Sequence, residues 1–464
     1  MAAIKFPEGF VWGTATAAFQ IEGAVHADGR SESVWDRFCH TPGKVANGDN
    51  ADEACRHYEK WREDLQLIKD LGVSSYRFSI AWPRVIPGGR GHINEKGLDF
   101  YERLVDEMLR LGIQPNATLY HWDLPQVLED KNGWLNRDTA YAYADYAQAV
   151  LRRLKDKPVF WATFNEPQIF IGHGYENGEH APGRRESKKD VTQAIHHVLL
   201  AHGLGMQVIR EHAPKSQAGI AFAPAGVWPA SQSKEDLEAS LAHWECSNDW
   251  WTLPILEGRY PERPMAWLGA DAPLVKDGDM KIIGSGVDFL GLNYYLPART
   301  MADPSSPRGF KGAPQPDNCP RPDFPGWEIF APGLENLLVQ FSRRYGNIPL
   351  YVTENGMSVA SEDLADPRRI AFLEGHIAAC HAAIARGANL KGYYVWSLMD
   401  NFEWALGYKP RFGLVNVDYK TFERRPKDSY RWYKAVAAGN GFEMRDQELA
   451  PEFNFFPATQ GAKR

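Results

Sequence analysis

At 464 residues, with 44% hydrophobic and 24% charged positions, the chain has a soluble composition and exceeds the usual single-domain length, so two domains or one large barrel are expected. Fifty-two basic against 59 acidic residues leave a formal charge of −7, which offers no basic surface to nucleic acid or anionic lipid. Sixteen Trp, 19 Tyr and 23 Phe either fill a big core or line a binding site.

Cys39, Cys55, Cys246, Cys319 and Cys380 are odd in number, scattered and never in a CxxC pair, which argues against a disulfide framework or a thiolate zinc site. The first residues hold no apolar run of signal-peptide length, and Pro7 and Glu8 interrupt the only apolar beginning. No window approaches the roughly 20 apolar residues of a membrane span. These features predict a cytoplasmic protein with no membrane partner.

Eight short apolar, β-branched or aromatic runs are candidate strands: 10–15, 75–80, 115–120, 159–164, 218–223, 287–292, 350–353 and 393–397. Between several of them lie stretches with apolar residues at helical spacing, such as 58–71, 98–111 and 141–154. Two of these end in matching phrases, Leu71-Gly72-Val73 and Leu111-Gly112-Ile113, where glycine suits a left-handed helix cap before a strand. Strand alternating with helix implies parallel pairing. A doubly wound sheet usually carries a glycine-rich nucleotide loop after a strand, and none is present. The expected fold is therefore α/β: a single (β/α)8 TIM barrel spanning 1–464 as one catalytic domain. Its βα loops are enlarged, chiefly at 169–190, 224–285 and 299–330. The third insertion carries seven prolines from Pro304 to Pro325 and is expected to be irregular.

Reactive groups of such a barrel collect where strands end. The strand ends supply Gln20, Arg77, His121 and Trp122, Asn165 and Glu166, Asn293 and Tyr295, Glu354, and Trp396. Glu166 and Glu354 end the fourth and seventh strands, which face each other across a barrel. A glycosidic bond is cleaved by such a pair, one carboxylic acid protonating the leaving oxygen and one carboxylate attacking or activating water. Their separation decides the stereochemistry, at about 5–5.5 Å for retention and about 6.5–9.5 Å for inversion.

Asn165-Glu166-Pro167, Thr353-Glu354-Asn355-Gly356 and Asp400-Asn401-Phe402-Glu403-Trp404 resemble the defining segments of glycoside hydrolase family 1, the β-glucosidase family. Segments from Phe10 to Gly23, His121-Trp122-Asp123-Leu124-Pro125, His180-Ala181-Pro182-Gly183, Gly291-Leu292-Asn293-Tyr294-Tyr295 and Arg411-Phe412-Gly413-Leu414-Val415 resemble further family landmarks in family order. The resemblance implies a retaining, exo-acting β-glycosidase that releases terminal β-D-glucosyl residues, with β-galactosides and β-fucosides as further candidates, through a covalent glycosyl-enzyme. By motif, Glu354 is the nucleophile, Glu166 the acid/base, and Arg77 and Tyr295 the partners of the nucleophile. Gln20, His121, Asn165 and Glu403 hold sugar hydroxyls, with charge-assisted acceptance by Glu403, and Trp122, Trp396 and Trp404 form the ring walls. Asn293 and Phe412 complete the substrate-binding set. No cofactor or metal is implied. The partners are small β-glycosides and short β-linked oligosaccharides, unphosphorylated because a carboxylate at Glu403 repels phosphate, with the aglycone side built by the three insertions.

Two other functions fit the same fold: a noncatalytic sugar-binding protein, which needs no carboxylate pair, and an enzyme working mainly as a transglycosylase. His196, His197 and His202 lack the spacing of a metal-binding helix face and are expected to pack. Trp12, Trp61, Trp161 and Trp250 are core candidates, and Glu423-Arg424-Arg425-Pro426-Lys427 reads as a solvated loop.

Overall fold

The computed structural model describes residues 2–444. Its centre is a closed barrel of eight parallel strands: β1 (Val11–Ala15), β2 (Ser75–Ser79), β3 (Gln114–Tyr120), β4 (Phe160–Asn165), β5 (Ala218–Phe222), β6 (Phe289–Asn293), β7 (Leu350–Asn355) and β8 (Leu390–Trp396). Each pairs with its sequence neighbours, and β8 closes on β1 through pairs such as Tyr393 with Trp12. The expected TIM barrel is the fold found. All eight expected runs are its strands, with ends displaced by one to three residues. The largest displacement is at the start of β8, where exposed Lys391 and buried Gly392 continue the strand.

Helices cover the outside of the barrel: α1 (His57–Leu71), α2 (Glu95–Arg110), α3 (Asp138–Leu154), α4 (Lys188–His212), α5 (Asp279–Ile283), α6 (Ala331–Arg344), α7 (Pro367–Ala385) and α8 (Asp428–Gly439). Gly72 and Gly112 take positive φ of 77° and 74° just beyond α1 and α2, the left-handed caps that the two matching phrases require. One apolar cluster runs from Ile4 to Val436 between strands and helices. Trp12, Trp61, Trp161 and Trp250 all belong to it, as expected for most of the indoles. Inside the bore, Tyr394 donates to Ser75 Oγ at 2.9 Å and accepts from Asn116 Nδ2 at 3.2 Å, so side chains plug the barrel below its mouth.

The insertions have more structure than their composition suggests. The third begins with two strands, Pro297–Ala302 and Phe310–Gly312, paired as an antiparallel hairpin whose turn holds Pro304 and Pro307. Only the segment after it is irregular, so the expected excursion starts at 313. The run 423–427 is also not a solvated loop. Arg424 is buried against Asp64 at 2.8 Å, and fully buried Lys427 reaches Asp400 at 2.8 Å, because partners from distant parts of the chain neutralise both cations. The histidines of α4 pack: His196 meets Asp279 and Tyr260, His197 the carbonyl of Trp134, and His202 the Thr163 hydroxyl. Among the described residues no helix is long and apolar enough to cross a membrane.

Candidate active site

The two strand-end carboxyls of the mouth, Glu166 and Glu354, lie at breaks in strand register. In β4 the pairing to β5 slips between Ala162 and Asn165, and in β7 the pairing to β6 slips between Val352 and Glu354. Along β7, Leu350 and Val352 pack into the outer core, and strict alternation would send Glu354 after them. The irregularity re-aims it toward the bore, as bulges beside active sites do. Glu166 lies just past β4 with φ of 47°, and Pro167 opens a short helix, Pro167–Ile171. Trp122 and Trp404 also hold positive φ, at 77° and 52°, so three strained non-glycine residues surround one mouth. Gly356 has a different reason to be glycine. A Cβ there would stand 1.8 Å from the carbonyl oxygen of Trp396.

A chain of hydrogen bonds joins the two carboxyls. Asn293 Nδ2 donates to Glu166 Oε1 at 2.8 Å and to Asn165 Oδ1 at 3.0 Å. Arg77 donates to the same Asn165 oxygen and to Glu354 Oε1, both at 2.6 Å. Tyr295 completes the set by donating to Glu354 Oε2 at 2.8 Å. Thr353 holds Asn293 in place from the other side, donating to its Oδ1 at 2.6 Å.

Burial pushes both carboxyls up, but their neighbours act in opposite senses. At Glu166 burial and then the charge of Glu354 raise the pKa, to about 8, with the Asn293 hydrogen bond opposing. At Glu354 burial raises it while the charge and hydrogen bond of Arg77, and the Tyr295 hydroxyl, pull it down. Near neutrality the arrangement therefore favours a protonated Glu166 beside an ionised Glu354. Glu403 is pushed to about 8 by burial and by the Glu354 charge. The shift favours the protonated form of Glu403 near neutrality, in which the carboxyl can donate as well as accept.

The mouth is a cavity of about 760 Å³. Of the residues expected at the site, His121, Trp122, Glu166, Asn293, Tyr295, Glu354, Trp396, Glu403, Trp404 and Phe412 line it. Arg77, Asn165 and Gln20 stand behind this lining. The Asn165 amide is engaged by Arg77, Asn293 and His121, and Gln20 Nε2 by Asn401 and the Phe402 carbonyl. Gln20 Oε1, His121 Nδ1 and Glu403 Oε2 are buried polar atoms with no hydrogen-bond partner among the described residues. Such atoms are costly unless a ligand completes them, so the pocket suits a compact molecule rich in hydroxyls. Burial and the Arg77 charge keep His121 neutral. Its Nε2 faces the Asn165 amide at 3.0 Å, which leaves Nδ1–H as the unpaired donor. Aromatic walls enclose these groups: Trp122 and Trp404 meet at 4.5 Å between ring centres, and Trp396 packs with Phe412 in an apolar cluster at the mouth.

Two features escaped the sequence reasoning. Trp327, from the proline-rich insertion, leans on Tyr295 at 5.6 Å and lines the cavity. No strand anchors it, so periodicity carries no signal for it. The second concerns 224–285, which was expected to build the aglycone side. It contributes only Pro224 to this cavity, while 169–190 and 299–330 supply residues such as Ile169, His173, His180 and Trp327.

An eight-stranded parallel barrel with two carboxyls of split acidity at its mouth defines a class of enzyme, the barrel glycoside hydrolases. The sequence pattern of Glycosyl hydrolase family 1 matches residues 2–442, and the chain belongs to that family. Beta-glucosidase A of Acetivibrio thermocellus is 43% identical over 95% of this chain and 100% of its own length. A beta-glucosidase of Agrobacterium sp. is 45% identical over 94% and 96%. Among solved structures, the Thermotoga maritima family 1 glycoside hydrolase complexed with a cyclophellitol-analogue transition-state mimic superposes with a TM-score of 0.90 at 43% identity, over 95% of this chain and all of that one. Virulence factor SghA complexed with its substrate analog salicin gives 0.90 at 44%, over 94% and 96%.

Proposed function

We propose that this protein is a retaining, exo-acting β-glucosidase in which Glu354 is the nucleophile and Glu166 the acid/base. The observation that carries the assignment of roles is the different environment of two equally buried carboxyls: Arg77 and Tyr295 donate to Glu354, whereas the negative charge of Glu354 stands beside Glu166. Glu354 attacks the anomeric carbon as the Glu166 proton passes to the leaving oxygen, giving a glycosyl ester and a free aglycone. The ester removes the Glu354 charge. One cause of the raised pKa at Glu166 goes with it, and Glu166 becomes the base for water. Two inversions leave the sugar with its original β configuration.

The three unpaired atoms of Gln20, His121 and Glu403, with the Trp122, Trp396 and Trp404 rings, support recognition of a neutral terminal glucose. Short β-linked gluco-oligosaccharides and aryl β-glucosides are the proposed substrates. One relative, from Thermotoga neapolitana, is a 1,4-beta-D-glucan glucohydrolase. The presence of both carboxyls speaks against a noncatalytic sugar-binding protein. We read residues 1–464 as one catalytic domain, and five free cysteines, three of them buried, support a cytoplasmic location.

Azide rescue tests the roles. Glu354→Gly should lose hydrolysis by several orders of magnitude and form an α-glucosyl azide when azide is added. Glu166→Ala should keep activity on substrates with good leaving groups and yield a β-glucosyl azide. A β-azide from the first variant, or equal loss on all aglycones in the second, would reverse the assignment.

A further inference from the structure

Behind the wall that carries Glu166 lies a second cavity, of about 440 Å³. It is bounded by the first turns of α4, the helix Pro167–Ile171 and two helices of the 224–285 insertion, Trp250–Glu257 and Glu262–Leu268. Ala223 lines both cavities, and Pro167–Ile171 divides them, with Ile169 on the sugar side and Gln168 and Ile171 on the other. The hydrolytic chemistry uses none of the side chains around it.

The lining is aromatic and rich in hydrogen-bond donors. Trp250 and Trp251 are buried, yet neither indole N–H makes a hydrogen bond among the described residues. Gln168 accepts from the Ala223 N–H at 3.3 Å through Oε1, so its amide hydrogens remain to donate. Thr192 and Ser247 already spend their hydroxyl hydrogens on the carbonyls of Asp271 and His243. Two cations stand at the edge. The Arg308 guanidinium has no ion pair or hydrogen bond among the described residues, and Lys188 has only a 3.9 Å contact with Asp271. One exposed carboxylate, Glu176, opposes them. Burial holds the Cys246 thiol at about 11, so it brings no negative charge.

An occupant of this cavity needs a flat apolar body, acceptors rather than donors, and negative charge. A sugar has as many donors as acceptors and no charge, whereas an aryl ring bearing a carboxylate has all three properties. We propose that the cavity is a binding site for an aromatic carboxylate, with its ring among the indoles of Trp250, Trp251 and Trp267 and its carboxylate paired with Arg308. The site is separate from the sugar pocket and does not depend on the hydrolase assignment.

Calorimetric titration of the intact protein with benzoate, carried out with deoxynojirimycin saturating the sugar pocket, tests it. The expected dissociation constant is on the order of 1 mM, as suits so small a ligand. Deoxynojirimycin should leave it unchanged, and benzyl alcohol should bind at least about fivefold more weakly. Arg308→Ala, at an exposed loop position, should weaken benzoate about fivefold without affecting benzyl alcohol, and Arg308→Lys should recover part of the loss. Displacement of benzoate by deoxynojirimycin, equal affinity in Arg308→Ala, or no binding up to about 20 mM benzoate would overturn the proposal.

Discussion

Glu166 and Glu354 share one hydrogen-bonded chain but not one environment. Arg77 and Tyr295 both donate to Glu354 and neither donates to Glu166, and the charge they stabilise at Glu354 in turn raises Glu166. If that field sets the acid, replacing Glu354 by Gln lowers the Glu166 pKa by about 1–2 units while burial keeps it above an ordinary carboxyl. A ¹³C NMR titration of labelled glutamates would measure it, and an unmoved Glu166 would refute the coupling. The same field predicts that kcat/KM falls on the alkaline side with an apparent pKa near 8 as Glu166 loses its proton. At this scale the motifs made the chemistry legible: the two carboxyls, Arg77 and Tyr295 are all named by their neighbours in sequence. The raised pKa of Glu403 was not legible, because it arises from burial and from the charge of Glu354 on a different strand.

The elements that carry the site are strands whose regularity fails where the chemistry begins. The apolar runs revealed all eight strands. Their alternation misdirects at Glu354, which shares the parity of outward-facing Leu350 and Val352 until the register breaks. Trp327 and the hairpin of 297–312 were invisible for a related reason: each is fixed by pairing with distant residues. Arg424 and Lys427 looked solvated because their partners, Asp64 and Asp400, lie far away in sequence. The close approach of β7 and β8 beyond Glu354 makes a firm demand. Gly356→Ala sets a methyl against the Trp396 carbonyl, so the strand ends must part. A loss of about 2 kcal/mol or more in denaturant unfolding is expected, with a fall in kcat larger than any rise in KM. Wild-type stability in that variant would mean that the contact is not tight.

Across the whole molecule, buried acids tie stability to pH. Asp123 is buried next to the site, neither carboxyl oxygen has a hydrogen-bond partner among the described residues, and burial together with Glu22 raises it to about 8 despite the opposing charge of Arg30. The folded state then holds a proton that the unfolded chain releases near its ordinary pKa of about 4. This contribution is intact below about pH 4 and is lost as pH rises toward 8. Asp123→Asn cannot ionise, so its stability relative to wild type should improve by about 3–4 kcal/mol between pH 5 and pH 8. A difference that stays constant over that range would show that Asp123 is ionised throughout.

Retaining hydrolysis by this barrel requires a covalent sugar at one named carboxylate. Incubation with 2-deoxy-2-fluoro-β-glucosyl fluoride, which slows both steps but the second more, followed by proteolysis and mass spectrometry, locates that bond. The expected result is one fluoroglucosyl ester, on Glu354. A label on Glu166 or Glu403, or continued turnover with no adduct, would contradict the mechanism.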